Sequence, residues 1–206
     1  MDTDDILKHH SAGNKDFLQV SLRQLNLSEI CLAGINLGQA DLSGTNLSGA
    51  SLYRANLSEA ILEQAILWRV DLTEALLIWA CLSKACLIRA TLTNADLHRA
   101  ILTEADLRLA DLRYADLSNT NLEGADLRYA DLTGANLAGA NLRKADLTGA
   151  NLSKADLYNV SLTKAILSRT DLRNTDLSCI NLGDVDLRDA NLGKTFSPES
   201  ILRRAG

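Results

Sequence analysis

A leucine stands at Leu22 and at every fifth position through Leu192, 35 leucines in one register, and Phe17 fills the slot before them. No other feature of the chain limits its fold so tightly. At about 100° per residue, five residues of helix turn about 500°, so successive leucines would lie about 140° apart and smear around the whole circumference. No apolar stripe would form, and a soluble helix needs one. A flat strand alternates its side chains with period two, so an odd spacing would send successive leucines to opposite faces. Both regular structures fail.

A cornered ribbon works. Taking each leucine as a centre, the residue two before it is small or β-branched, as at Ala40, Ala90, Val70 and Thr120, and the residue one before it is mostly Asp or Asn. The small residue and the centre are two apart, so they face the same way on a short extended piece. The two mostly polar residues after the centre then turn a corner and restore the inward direction. Stacked coils about 4.8 Å apart pair as parallel strands, and the leucines pile into inner columns. The product is a quasi-one-dimensional, all-β solenoid, and parallel crossover connections predict a right-handed one.

From Ala105 to Leu157 the units run without a slip, among them ADLRY, ADLTG, ANLAG and ANLSK. They resemble the pentapeptide-repeat family, whose pattern is A(D/N)LXX, and in particular its cyanobacterial members. The SAGNKDF stretch before the first repeat adds to that resemblance. The resemblance covers Asp16 to about Thr195 and implies a right-handed quadrilateral β-helix with four quintets per coil, about nine coils here. One relative in that group affects cell differentiation. Other family members resemble a rod of B-DNA in size and charge, bind DNA gyrase and confer quinolone resistance.

Three segments are expected: a capping helix within 1–15, the solenoid over 16–195 and a C-terminal cap over 196–206. Thr3 or Asp2 can cap the N-terminal helix, Gly13 suits its C-terminal end, and Ile6 and Leu7 would cover the first coil. At the other end Ser197 and Pro198 read as a helix start, with Phe196, Ile201 and Leu202 sealing the last coil. Such caps keep open solenoid ends from pairing with other molecules. Between Leu25 and Ile35 bulky residues replace alanine, so the coil should widen there. Glycine falls two after the centre at Gly34, Gly44, Gly49, Gly124, Gly134, Gly139 and Gly149, where a type II corner with positive φ is expected. No glycine lies between Gly49 and Gly124, which predicts a different turn that tolerates Arg69, Glu74, Lys84, Arg89 and Arg99.

The composition places no enzyme here. Carboxylates such as Asp106, Asp111, Asp116, Asp126 and Asp131 occur wherever the repeat occurs, which gives them a structural job at the corners. Several lie two before an arginine (Asp106/Arg108, Asp111/Arg113, Asp126/Arg128, Asp171/Arg173, Asp186/Arg188), as exposed ion pairs worth little each. No nucleophile–base pair, cleft or phosphate loop is evident. No cofactor or metal is expected: His9 and His10 are adjacent and diverge on a helix, so they read as solvated surface groups, and His98 stands apart. Cys31, Cys81, Cys86 and Cys179 point outward on distant sites and read as free thiols. No apolar run approaches a membrane span, and MDTDDILKHH does not read as a signal peptide. A cytoplasmic protein is expected, with neither nucleic acid nor membrane as partner.

Two surface readings remain. For gyrase mimicry, a rod of nine coils is about 43 Å long, and duplex DNA of that length carries about 25 negative charges. This chain has a net charge of −5. Only the side centred on Leu37, Leu57 and Leu77 is acidic, with Asp16, Glu59, Asp96, Asp116, Asp156 and Asp176 against Arg99. The resistance-type members also tend to carry Phe at many centres and, in some, an extruded loop; this chain has neither, so gyrase is the alternative partner. The favoured reading starts from outward positions that are apolar. Ile61, Ile66, Leu76, Cys81, Cys86 and Ile101 replace Asp or Asn before a centre, and Trp68, Ile78, Trp79 and Ile88 follow one. With twenty residues per coil they are expected to form a contiguous apolar patch wrapping two corners of the middle coils. Such patches mark interaction sites and Trp is a favoured anchor, although apolar side chains can also stack along a column with no partner. The expected function is a non-enzymatic scaffold for an unidentified protein partner or for self-association.

Overall fold

The computed structural model of the chain describes residues 3–178 and 180–195. Helix α1 (Thr3–Ser11) opens it, with Asp4 and Asp5 in the first turn and Lys8, His9 and His10 in the last, as the helix dipole favours. Gly13 at φ 91° ends it. Gly13 N–H donates to the His10 carbonyl at 3.0 Å and Asn14 N–H to that of His9 at 3.1 Å, a Schellman closure. Ile6 is fully buried against the first rung, but Leu7 stays exposed, so one side chain and not two does the covering. Thr3 tethers the helix instead of capping it: its hydroxyl donates to the Asn26 carbonyl at 3.2 Å. His10 is only partly a surface group, because its Nε2 is enclosed without a partner. Asp2, Cys179 and the expected C-terminal cap over 196–206 lie outside the described residues.

Beyond α1 the chain is a ladder of isolated parallel bridges, from Asp16↔Asn36 to Asp171↔Asn191, in which each residue pairs with the one 20 further on. Four quintets therefore separate each pairing, and the centres fall on four faces. Face 1 carries Phe17, Leu37 and onward to Leu177; face 2 starts at Leu22, face 3 at Leu27 and face 4 at Leu32. The two residues after each centre form the corner to the next face.

The quintet repeats because it satisfies its own backbone. Leu37 N–H donates to Asn56 O at 2.7 Å and Gln39 N–H to Ser58 O at 2.9 Å, both on the next rung. Asn36 N–H donates to Lys15 O at 2.7 Å on the rung before, and Ala40 N–H closes the corner onto Leu37 O at 3.1 Å. The fifth donor, one after the centre, has no backbone acceptor. Its partner is the Asp or Asn side chain. From Asn26 to Asn191 every Asp or Asn that precedes a centre accepts the N–H two residues on, as in Ser43 N–H to Asp41 Oδ1 at 3.0 Å. Buried or half-buried backbone donors need such partners, which explains a polar residue at that place and Asp or Asn in particular.

The corners differ from the sequence expectation. A positive φ two after the centre, closed by a bond to the residue three after it, is the type II arrangement, and it holds at the glycines. It also holds through the glycine-free middle: Arg69, Glu74, Lys84, Arg89 and Arg99 have φ of 54–59°. No alternative turn is used there. A left-handed residue with a side chain costs about 1–2 kcal/mol. The cost is accepted because that residue's N–H must reach the next rung, as Arg69 N–H does to Ile88 O at 3.0 Å.

The core is a column of leucine centres beside a column of small residues, all close to zero exposure from Ala40 to Ala150. Thr45, Thr120, Thr170 and Thr175 occupy the small slot with buried hydroxyls, each donating to a leucine carbonyl, as Thr45 does to Leu22 at 2.6 Å. Where bulky Leu25 and Ile30 take that slot they enter only partly, while Ile35 is fully buried.

Candidate interaction surface

The 20-residue register decides which outward side chains meet. Ile61, Cys81 and Ile101 pair in succession down face 2, and Ile66 pairs with Cys86 down face 3. Ile61, Ile66, Trp68, Leu76, Trp79 and Ile101 are exposed, Trp79 most of all at 53%. Ile78, Cys81, Cys86 and Ile88 are half-buried. The ten residues do not form the one contiguous patch expected from the sequence but fall into two lobes. Leu76, Ile78 and Trp79 end face 1 and turn onto Ile61, Cys81 and Ile101 of face 2. Ile66, Cys86, Trp68 and Ile88 occupy face 3 and the corner beyond it. Along every rung a polar corner separates the lobes, carrying Glu63/Gln64, Ser83/Lys84 and Thr103/Glu104. The Cys81 thiol donates to Glu63 Oε1 at 3.4 Å across its edge. Cys31, Cys81 and Cys86 are free thiols.

Replacing Asp or Asn by an aliphatic residue or Cys before a centre removes an acceptor. Among the described residues no protein group accepts the N–H of Glu63, Trp68, Ile78, Ser83, Ile88 or Thr103. Each tryptophan also carries an arginine. The Arg69 guanidinium lies 5.2 Å from the Trp68 ring, and that of Arg99 lies 4.8 Å from Trp79, a cation–π arrangement. Exposed Leu109, Tyr114, Tyr129 and Tyr158 lie outside the ten residues. Their signal in the sequence was an apolar or aromatic residue one or two after a centre, on rungs that otherwise keep Asp before it.

Away from these side chains much of the surface is ionic. All five Asp–Arg pairs spaced by two residues form, at 2.6–2.7 Å. In each, Arg Nε and Nη2 grip one carboxylate, which also takes the corner N–H. The hydrogen bond from Arg113 holds the Asp111 carboxyl below the usual carboxylate range, and Arg173 and Arg188 do the same to Asp171 and Asp186. At Asp126 partial burial pushes upward, but the bonds from Arg128 outweigh it and the carboxyl is lowered. These carboxylates are occupied by structure, and among the described residues no group of three or more His, Cys, Asp or Glu is arranged to hold a metal ion. No helix of the described residues is long and apolar enough to cross a membrane.

A ladder of parallel bridges with corner-capping Asp and Asn defines a class of repeat protein, and the comparison of sequences agrees with it. The model of pentapeptide repeats matches in 8 copies over residues 21–58, 30–69, 50–89, 90–128, 125–163 and 165–196, and the chain belongs to that family. Among solved structures it is similar to HetL, a pentapeptide repeat protein involved in heterocyst differentiation regulation from the cyanobacterium Nostoc sp. strain PCC 7120. The two share 36% identity over 96% of this chain and 94% of that one, with a TM-score of 0.64. The plasmid-mediated fluoroquinolone resistance protein QnrB1 is 20% identical over 91% of this chain and 94% of its own, with a TM-score of 0.52, which is a likeness of fold. No match is found among curated proteins.

Proposed function

We propose that this chain is a cytoplasmic, non-enzymatic scaffold that binds a protein partner, or a second copy of itself, through the apolar side chains of its middle rungs. In this reading residues 16–195 form a rigid right-handed rod of about nine coils, closed by caps over 1–15 and 196–206. The observation that carries it is the clustering of Ile61, Ile66, Trp68, Leu76, Ile78, Trp79, Cys81, Cys86, Ile88 and Ile101 on neighbouring rungs, at positions where most of the rod places polar side chains. Six corner N–H groups there have no protein acceptor among the described residues and are open to a partner's acceptors. Proteins of this family are in general structural or binding proteins, and the similar HetL is involved in regulating differentiation, which fits a binding role.

Gyrase mimicry has less support. The likeness to QnrB1 concerns the fold, and the acidic side chains of face 1 are too sparse to copy a duplex. The test is affinity capture from the native cell together with solution mass, on wild type and the Trp68→Ser/Trp79→Ser variant. Loss of a captured partner or of a dimer, with folding intact, supports the reading. Unchanged capture and unchanged mass remove it. A supercoiling assay with purified gyrase separates the second reading, since a mimic inhibits or protects the enzyme and a scaffold leaves it alone.

A further inference from the structure

The corner between faces 3 and 4 differs from the other three. On four successive rungs it carries one arginine and one apolar side chain: Trp68/Arg69, Ile88/Arg89, Arg108/Leu109 and Arg128/Tyr129. Among the described residues no other corner repeats that pairing on two successive rungs. Between Glu29 and Asp189 this corner holds no acid. Ile88, Leu109 and Tyr129 line a shallow groove with Arg108 and Arg128. Leu109 and Tyr129 are about half exposed, at 47% and 56%. The Tyr129 ring lies over Gly149, where a Cβ would stand 2.6 Å from Cε1, so the groove end is shaped by a glycine.

Its hydrogen-bonding capacity is one-sided. Arg108 and Arg128 are held by Asp106 and Asp126. Among the described residues Arg69 and Arg89 have no carboxylate partner, and the N–H groups of Trp68 and Ile88 have no protein acceptor. Covering them with a purely apolar surface would strand donors at about 1–3 kcal/mol each. A carboxylate-bearing surface would satisfy them. The spacing also selects: four rungs at about 4.8 Å span about 14 Å, close to the roughly 16 Å of three helical turns at 5.4 Å each. An extended strand repeats its same-face side chains at about 6.8 Å and runs out of step.

We infer that this corner is the seat of an amphipathic helix from a partner protein, with glutamate or aspartate beside an apolar stripe. The inference rests on the scaffold reading and names the chemistry of the partner. Apolar anchors at one per turn fill the groove, and the flanking carboxylates meet Arg69, Arg89 and the free N–H groups.

The test uses the full chain and two fluorescein-labelled peptides of about four turns. One has Leu and Phe along one face flanked by Glu; in the other each Glu is Lys. Fluorescence anisotropy should show binding of the acidic peptide, weakening with added salt, and none of the basic one. Arg69→Ser/Arg89→Ser and Leu109→Ser/Tyr129→Ser should each raise Kd by about tenfold or more, with unchanged circular dichroism melts. Trp79→Ser, on the other lobe, should leave Kd alone. Equal binding of the basic peptide, indifference to the two arginines, or no binding up to about 1 mM overturns the inference. So does a dimer mass that Leu109→Ser/Tyr129→Ser abolishes, which would make the occupant a second copy. Failure of the acidic peptide while partner capture still depends on Trp68 and Trp79 leaves the scaffold reading standing and removes only this chemistry.

Discussion

Alanine at two corner glycines separates the backbone contribution from the packing one. Gly124 and Gly149 both have φ of 69°, so alanine meets the same left-handed strain at each. That strain is about 1–2 kcal/mol, and the stiffer unfolded chain offsets about 0.4–1 kcal/mol of it. A net loss near 1 kcal/mol is expected at Gly124, where the new Cβ would lie 3.6 Å from Glu104 Cγ, an ordinary contact. At Gly149 the Cβ would lie 2.6 Å from the Tyr129 ring, and the ring must swing off its rung. Overpacking of this kind adds about 1–3 kcal/mol; the half-exposed ring can move, so the lower figure applies and the total is about 2 kcal/mol. Urea unfolding followed by circular dichroism measures both losses. In a Tyr129→Ala background, Gly149→Ala should fall back to the Gly124→Ala value, a coupling near 1 kcal/mol. Equal losses for the two single variants, with no coupling, would refute the account of how these corners are packed.

Three further outcomes follow from the same structure. Leu107→Ala, at a fully buried centre, should cost about 2–5 kcal/mol in the same urea assay, since the stacked rungs cannot close around the cavity. Asp171→Asn keeps an acceptor for the Arg173 N–H and loses only an exposed ion pair, so it should cost under about 1 kcal/mol; Asp171→Ala also strands the N–H and should cost more, by about 1 kcal/mol. Acid should weaken the rod in a defined window. Hydrogen bonds from Arg113, Arg173 and Arg188 lower Asp111, Asp171 and Asp186 in the folded chain, while in the unfolded chain they titrate near pH 4. Their stabilisation is therefore complete above about pH 4 and is lost as pH falls through the lower folded values. The urea midpoint should be flat from neutral pH to about 5 and drop below about 4, and a drop that begins near pH 6 would contradict it.

The solenoid was legible in the chain because the register of centres never slips: an odd spacing held from Leu22 to Leu192 leaves no other way to bury them. The same regularity made the Asp–Arg pairs readable, since two residues of spacing on an extended piece put both side chains outward. The uniform corner at Arg69 through Arg99 was not readable. Local preference argues against a left-handed arginine, and the bond that offsets it, Arg69 N–H to Ile88 O, spans 19 residues. The placement of Ile61 beside Cys81 followed from the stacking of rungs. The polar corner between the lobes, and the strip through Leu109 and Tyr129, depend on which of four corners each residue occupies, and that is set by the 20-residue pairing and not by the quintet spacing alone.

Trp68 and Trp79 are the only tryptophans, 2 in the chain, and one lies in each lobe, so their fluorescence reports on the surface claimed to bind. Acrylamide should quench both freely in the purified chain, as their exposure requires, and the complex isolated from the native cell should show strong protection of at least one. Equal quenching in the free chain and in its native complex would place the partner elsewhere on the rod and contradict the account.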